Sequence, residues 1–189
     1  MEILLKAKHW QIFLIIIGIP ILIEILDSII VLSGSGEAFT FRAILRFLLI
    51  IPFITFYFWL YSVGYLLNKR IRDHLNTRTG YFALSLWTSA FSLFFLSIFV
   101  LFIWDDWEKL MIENNFTYVV FGIVVFLAIA TLLLAISYVA KTLLRAERNA
   151  HVHSSDFYSE FVMILFFPIG IWILQPRIND VFIKDFKHR

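Results

Sequence analysis

Four ionisable side chains stand where a hydrocarbon environment would make them costly. Glu24 and Asp27 are three residues apart in an otherwise apolar run, so on a helix they share a face. Arg42 and Arg46 are four apart at the start of the next apolar run, beyond a Gly34-Ser35-Gly36 turn. By helical rise, Glu24 and Asp27 lie about 12 and 8 Å from the end of their run. If the two runs form an antiparallel hairpin, Asp27 meets Arg46 at similar depth, with Glu24 one turn deeper. Such a group is either an ion-paired hairpin or a site that handles protons or cations.

A second group lies in the C-terminal half. Glu160 opens a short apolar run that follows a basic stretch holding Lys141, Arg145 and Arg148. It either pairs with one of those cations or snorkels to the interface. His151 and His153, with Glu147 and Asp156 nearby, have the residue types of a metal site, but their spacing matches no zinc pattern. We expect a solvated loop there and no bound metal. There is no cysteine, so thiol chemistry, disulfides and thiolate ligation are excluded. No nucleophile elbow, HExxH or phosphate loop occurs. No catalytic set or cofactor site is therefore expected. Asn115-Phe116-Thr117 is a glycosylation sequon, meaningful only in a secretory pathway. Ser85, Ser89 and Ser92 would share one helix face, suited to close packing and interhelical hydrogen bonds.

The elements that carry these residues follow from composition. Of 189 residues, 61% are hydrophobic and 16% charged, with 22 Phe and a mean hydropathy of +0.86. Soluble domains are less apolar and more charged. The apolar residues fall into long runs, which predicts an all-α membrane protein in one helical domain. Four transmembrane helices are expected over about 10–32, 47–67, 81–104 and 117–140. Pro20 and Pro52 are expected to kink the first two. Glu24 and Asp27, together with the length of the first run, argue for an uncleaved anchor over a signal peptide.

A fifth hydrophobic element, 157–175, has its apolar heart at Phe161–Leu174. At ~1.5 Å per residue that stretch covers about 21 Å, short of the ~30 Å hydrocarbon core. It should be a re-entrant or kinked helix, broken at Pro168–Gly170. Gly170 would supply unusual dihedrals, and Gln175, Arg177 and Asn179 would satisfy the broken backbone. Residues 176–189 should form an interfacial tail.

Orientation follows from Lys and Arg. With the tail on the N-terminal side, 13 of the 16 basic residues share that side. The N-terminus is therefore expected in the cytoplasm. Basic residues are confined to short loops, which suits anionic lipid and not nucleic acid.

The C-terminal half also carries a resemblance. Ala140-Lys141-Thr142-Leu143, Glu147, Glu160-Phe161, Phe166-Phe167-Pro168-Ile169-Gly170-Ile171-Trp172 and Gln175-Pro176-Arg177-Ile178-Asn179 form its pattern, with Tyr61-Ser62-Val63-Gly64 and Leu67 upstream. Over roughly 57–182 the chain resembles an uncharacterised family of small polytopic membrane proteins of flavobacteria-like bacteria. The resemblance implies a bacterial inner-membrane location. It directs attention to Lys141, Glu147, Glu160, Pro168, Gly170, Gln175, Arg177 and Asn179, and brings no activity. Together these readings predict a membrane scaffold or accessory subunit, packing with itself or with another membrane protein. The alternative is a small channel, transporter or pore-forming effector using intramembrane carboxylates.

Overall fold

A computed structural model describes residues 2–33, 44–45, 47–69, 71, 79–103, 115–148, 150–153 and 156–184. Every regular element among them is helical. They are α1 (Glu2–Lys6), α2 (His9–Ser33), α3 (Ile50–Asn68), α4 (Thr79–Ile103), α5 (Asn115–Arg148), α6 (Tyr158–Leu165) and α7 (Phe167–Lys184). Four of these, α2 to α5, are long and apolar enough to cross a membrane. The chain is thus a multi-pass, all-α membrane protein. Hydrocarbon offers no partner for a free amide, which is why each apolar run closes its own hydrogen bonds as a helix.

The prolines act differently from expectation. Leu14–Gly18 of α2 is wound as a π-helix, ending just before Ile19-Pro20. Pro20 has no amide to give the preceding turn, and a widened turn there absorbs the mismatch. Pro52 sits in the first turn of α3, where the missing donor costs nothing. It is a helix-start residue, not an interior kink. α5 runs eight residues past the expected end at Ala140, through Lys141 to Arg148. Its last two turns are made of good helix formers once the apolar stretch is over.

The fifth element is a helical hairpin. The break falls at Phe166, with φ −91° and ψ 53°, two residues before Pro168. The Phe166 carbonyl then accepts from the amides of Ile169 and Gly170 and starts α7. Pro168 lies in the first turn of α7, again where no donor is needed. Gly170 is not in a left-handed conformation. Its role is steric, because a Cβ there would fall inside the Met163 carbonyl of α6. The two legs touch at the apex only because that carbon is missing. The expected tail boundary at 175/176 also disappears, since α7 continues through Pro176 to Lys184.

The core gathers at one end of the bundle. Its members are Leu5 and Ile12, Tyr57 to Leu67 of α3, Phe82 and Leu86 of α4, Ala135 to Leu144 of α5, and Ile164 to Phe182 of the hairpin. Phe82 lies over Gly64 and stacks on Tyr138 at 4.5 Å, joining α3, α4 and α5. Ser89 and Tyr57 share a buried 2.7 Å hydrogen bond between α4 and α3. Of the serine face expected on α4, Ser89 makes this interhelical bond, while Ser85 returns its hydroxyl to the Phe82 carbonyl. The far half of α2 is bare by contrast. In Ile19–Ser33 only Ile23 is buried.

Substituting Gly170 tests the apex. Gly170→Ala should destabilise the chain by about 3 kcal/mol or more, because a backbone carbonyl cannot yield as a flexible side chain does. Gly122→Ala, which meets open space, is the control and should be near neutral. Thermal unfolding in mild detergent reads both. Equal stability of the two variants would show that the legs are not held in contact.

Candidate functional site

The polar residues of the hairpin converge on the core end. Arg177 lies ten residues past the start of α7, at the level where α6 begins, so its guanidinium reaches back to Glu160. It also meets Glu147 in the last turn of α5. Nε donates to Glu147 Oε1 at 2.8 Å, and Nη2 donates to Glu147 Oε2 at 2.6 Å and to Glu160 Oε1 at 2.8 Å. One guanidinium thus bridges two carboxylates on two other helices. Such forked, charge-assisted bonds are the strong class. The hydrogen bonds to Glu147, and secondarily to Glu160, raise the pKa of Arg177 against the opposing effect of its partial burial. It stays charged at any physiological pH.

Glu160 is the most deeply placed member, with 7% of its side chain exposed against 30% for Arg177 and 21% for Glu147. Its Oε2 is buried and has no donor. Lys141, Arg145 and Arg148 were the candidate partners, with snorkelling to the interface as the alternative. The structure gives Glu160 to Arg177 instead. Arg148 pairs with Asp156 at 3.1 Å, and the Lys141 ammonium stands 4.5 Å from the centre of the Phe157 ring. Sequence distance misled here. Arg145 and Arg148 are closer along the chain, but the hairpin folds Arg177 back onto the acid.

Gln175 is the second junction and is fully buried. Its Oε1 accepts from Trp59 Nε1 of α3 at 2.9 Å. Its Nε2 donates to the Leu4 carbonyl at 2.9 Å and to the Ala7 carbonyl at 3.1 Å. Asn179 Nδ2 adds a bond to Ala7 O at 3.3 Å. The carbonyls left open at the end of α1 are therefore closed by side chains of α7. Gln175, Arg177 and Asn179 were expected to serve the broken backbone at Pro168–Gly170. They serve the N-terminal segment and the carboxylates instead. His9 and Phe13 pack on Trp172, with ring centres 4.5 and 5.7 Å apart, and extend the contact into α2.

The acidic pair of the first span is not part of this centre. Glu24 is exposed, and Asp27 is half-buried and makes an interaction of its own. Arg42 and Arg46 lie outside the described residues, as does the expected Asp27–Arg46 pairing. Among the described residues no group of three or more His, Cys, Asp or Glu is arranged to hold a metal. The hydrogen bonds of the arrangement join α3, α5, α6 and α7 to one another and to the N-terminal segment. No family model, curated protein or solved structure matches the chain.

The fork makes a chemical prediction. Arg177→Gln should cost about 3 kcal/mol, by stranding two carboxylates in a poorly solvated corner. Arg177→Lys keeps the charge but not the fork, and should recover less than half of that loss. Full recovery by lysine, in chemical denaturation of the detergent-solubilised chain, would mean that only the charge matters. Gln175→Leu should release the N-terminal segment, because it leaves the Trp59 indole and the Leu4 carbonyl unpaired and the Ala7 carbonyl with Asn179 alone. Tryptic cleavage after Lys8 should quicken at least tenfold; an unchanged rate would show that α1 is held by packing alone.

Proposed function

We propose that this chain is a scaffold or accessory subunit of a bacterial inner membrane, working through helix packing with itself or with another membrane protein. The observation that carries the reading is the far half of α2. Only 11% of the most apolar window of this span is buried. Ile21, Leu22, Ile25, Ile29 and Leu32 are exposed, and so is Glu24. Exposed Leu and Ile suit lipid, but a carboxylate near mid-span does not. At that depth a charged side chain costs several kcal/mol unless protein or water meets it. Among the described residues Glu24 has no ion-pair partner. A helix from another chain laid along this face would cover it.

The distribution of basic residues supports a cytoplasmic N-terminus. The geometry of the hairpin is in keeping with that topology. Arg177 and Gln175 of α7 touch the end of α5 and the segment Leu4–Ala7, so the tail returns to the end of the bundle that holds the N-terminus. The resemblance over 57–182 adds the bacterial inner membrane.

Crosslinking and native mass spectrometry from mild detergent test the assembly. The wild type should leave the membrane as a discrete complex. Glu24→Leu should reduce that complex at least tenfold while leaving thermal stability within about 0.5 kcal/mol, as for an exposed site. A lone monomer in the wild type, or a complex indifferent to Glu24, would refute the reading. Topology is tested separately. Reporters fused after Leu75 and Ala150 should read cytoplasmic, and one after Leu110 external. A Cys at Lys187, in a chain that has none of its own, should resist an impermeant maleimide until cells are lysed.

A further inference from the structure

Two cations of α5 are left over once the acids of the core end are assigned. Lys141 and Arg145 are one turn apart, so they share a face. Glu147 and Glu160 give their bonded oxygens to Arg177, and Asp156 pairs with Arg148. Lys141 faces the Phe157 ring and has no carboxylate among the described residues. The Nε of Arg145 is shielded from solvent and has no acceptor. A buried guanidinium nitrogen without an acceptor is uncommon enough to require one.

Depth narrows the choice of acceptor. The apolar stretch of α5 ends at Ala140, so Lys141 is its first charge and Arg145 lies about 6 Å further out. That is the level of lipid phosphates. Directly alongside, α6 begins. Phe157 stacks on Tyr158 with ring centres 5.2 Å apart. Tyr158, Val162 and Leu165 are exposed and recur at helical spacing, forming an apolar stripe that leads from the cations toward the hairpin apex. We propose that this corner binds one anionic phospholipid. Its headgroup phosphate sits on Lys141 and Arg145, and an acyl chain lies along Tyr158, Val162 and Leu165. Free inorganic phosphate shares the headgroup chemistry but has nothing to place on the stripe.

The full chain can be released into a mass spectrometer from nanodiscs holding phosphatidylglycerol and phosphatidylcholine with matched acyl chains. The wild type should retain phosphatidylglycerol well above its bulk share. In the Lys141→Gln, Arg145→Gln double variant that preference should fall about twenty-five-fold, roughly five-fold for each cation removed. The charge-keeping exchange, Lys141→Arg with Arg145→Lys, should retain most of it, which separates loss of the site from loss of the fold. Excess inorganic phosphate should fail to displace the lipid, and Val162→Gln should weaken retention of the long-chain lipid. Three results would overturn the proposal: equal retention of the two lipids by the wild type, an unchanged preference in the double variant, or displacement by inorganic phosphate.

Discussion

One guanidinium ties together three helices that no hydrophobic force would hold. In lipid, apolar side chains gain nothing by leaving one hydrocarbon environment for another, so helices associate through close packing and polar contacts. Arg177 supplies such a contact between α5, α6 and α7. Its value comes from its fork. Two nitrogens meet both oxygens of Glu147, and one of these nitrogens also reaches Glu160. The bonds hold α7 antiparallel to α6, and that orientation brings Gln175 to Trp59 and to the carbonyls of Leu4 and Ala7. The N-terminal segment, the second span, the fourth span and the hairpin therefore share a single polar seam.

The seam works only with the steric condition at its far end. Charged bonds at Arg177 and a missing carbon at Gly170 are separated by two turns of α7. Both are needed to fold eleven or so residues of apolar chain back on themselves. A side chain at 170 would spread the legs and pull Arg177 away from Glu160. Loss of the fork would leave the apex packed but free to swing. The seam also leaves one defect, the unpaired Oε2 of Glu160, which is tolerated because its other oxygen carries a charge-assisted bond.

Much of the architecture was legible because hydrocarbon imposes a single rule on backbone amides. Run length alone located four spans, and the short fifth run was correctly set apart from them. What periodicity could not supply was partner choice. Glu160 was read as pairing with a cation of the preceding basic stretch or snorkelling to the interface, yet it pairs across a hairpin whose register depends on one glycine. Proline was read as a break at 168, but the break lies at Phe166, since a proline in a first helical turn costs nothing. Gly170 was read for its dihedrals when its lack of a Cβ is what counts. Gln175 gave the clearest signal that could have been used further. An amide closing an apolar run, with Asn179 one turn later, needs buried donors and acceptors to meet it. The open carbonyls of a short N-terminal helix are such a set.

The seam and the bare half of α2 have a common cause. Side chains that tie helices together in lipid must be polar or small, and here they sit at the end where Glu147, Glu160, Gln175, Arg177 and Asn179 gather. Toward the other end α2 offers Ile, Leu and Val, which pack no better against protein than against acyl chains. Among the described residues the buried packing is therefore concentrated at one end of the bundle, and in the far half of α2 only Ile23 is buried. Glu24, exposed on that same span, is the side chain there for which hydrocarbon is the poorest surrounding, since no apolar neighbour can offset the loss of its hydration.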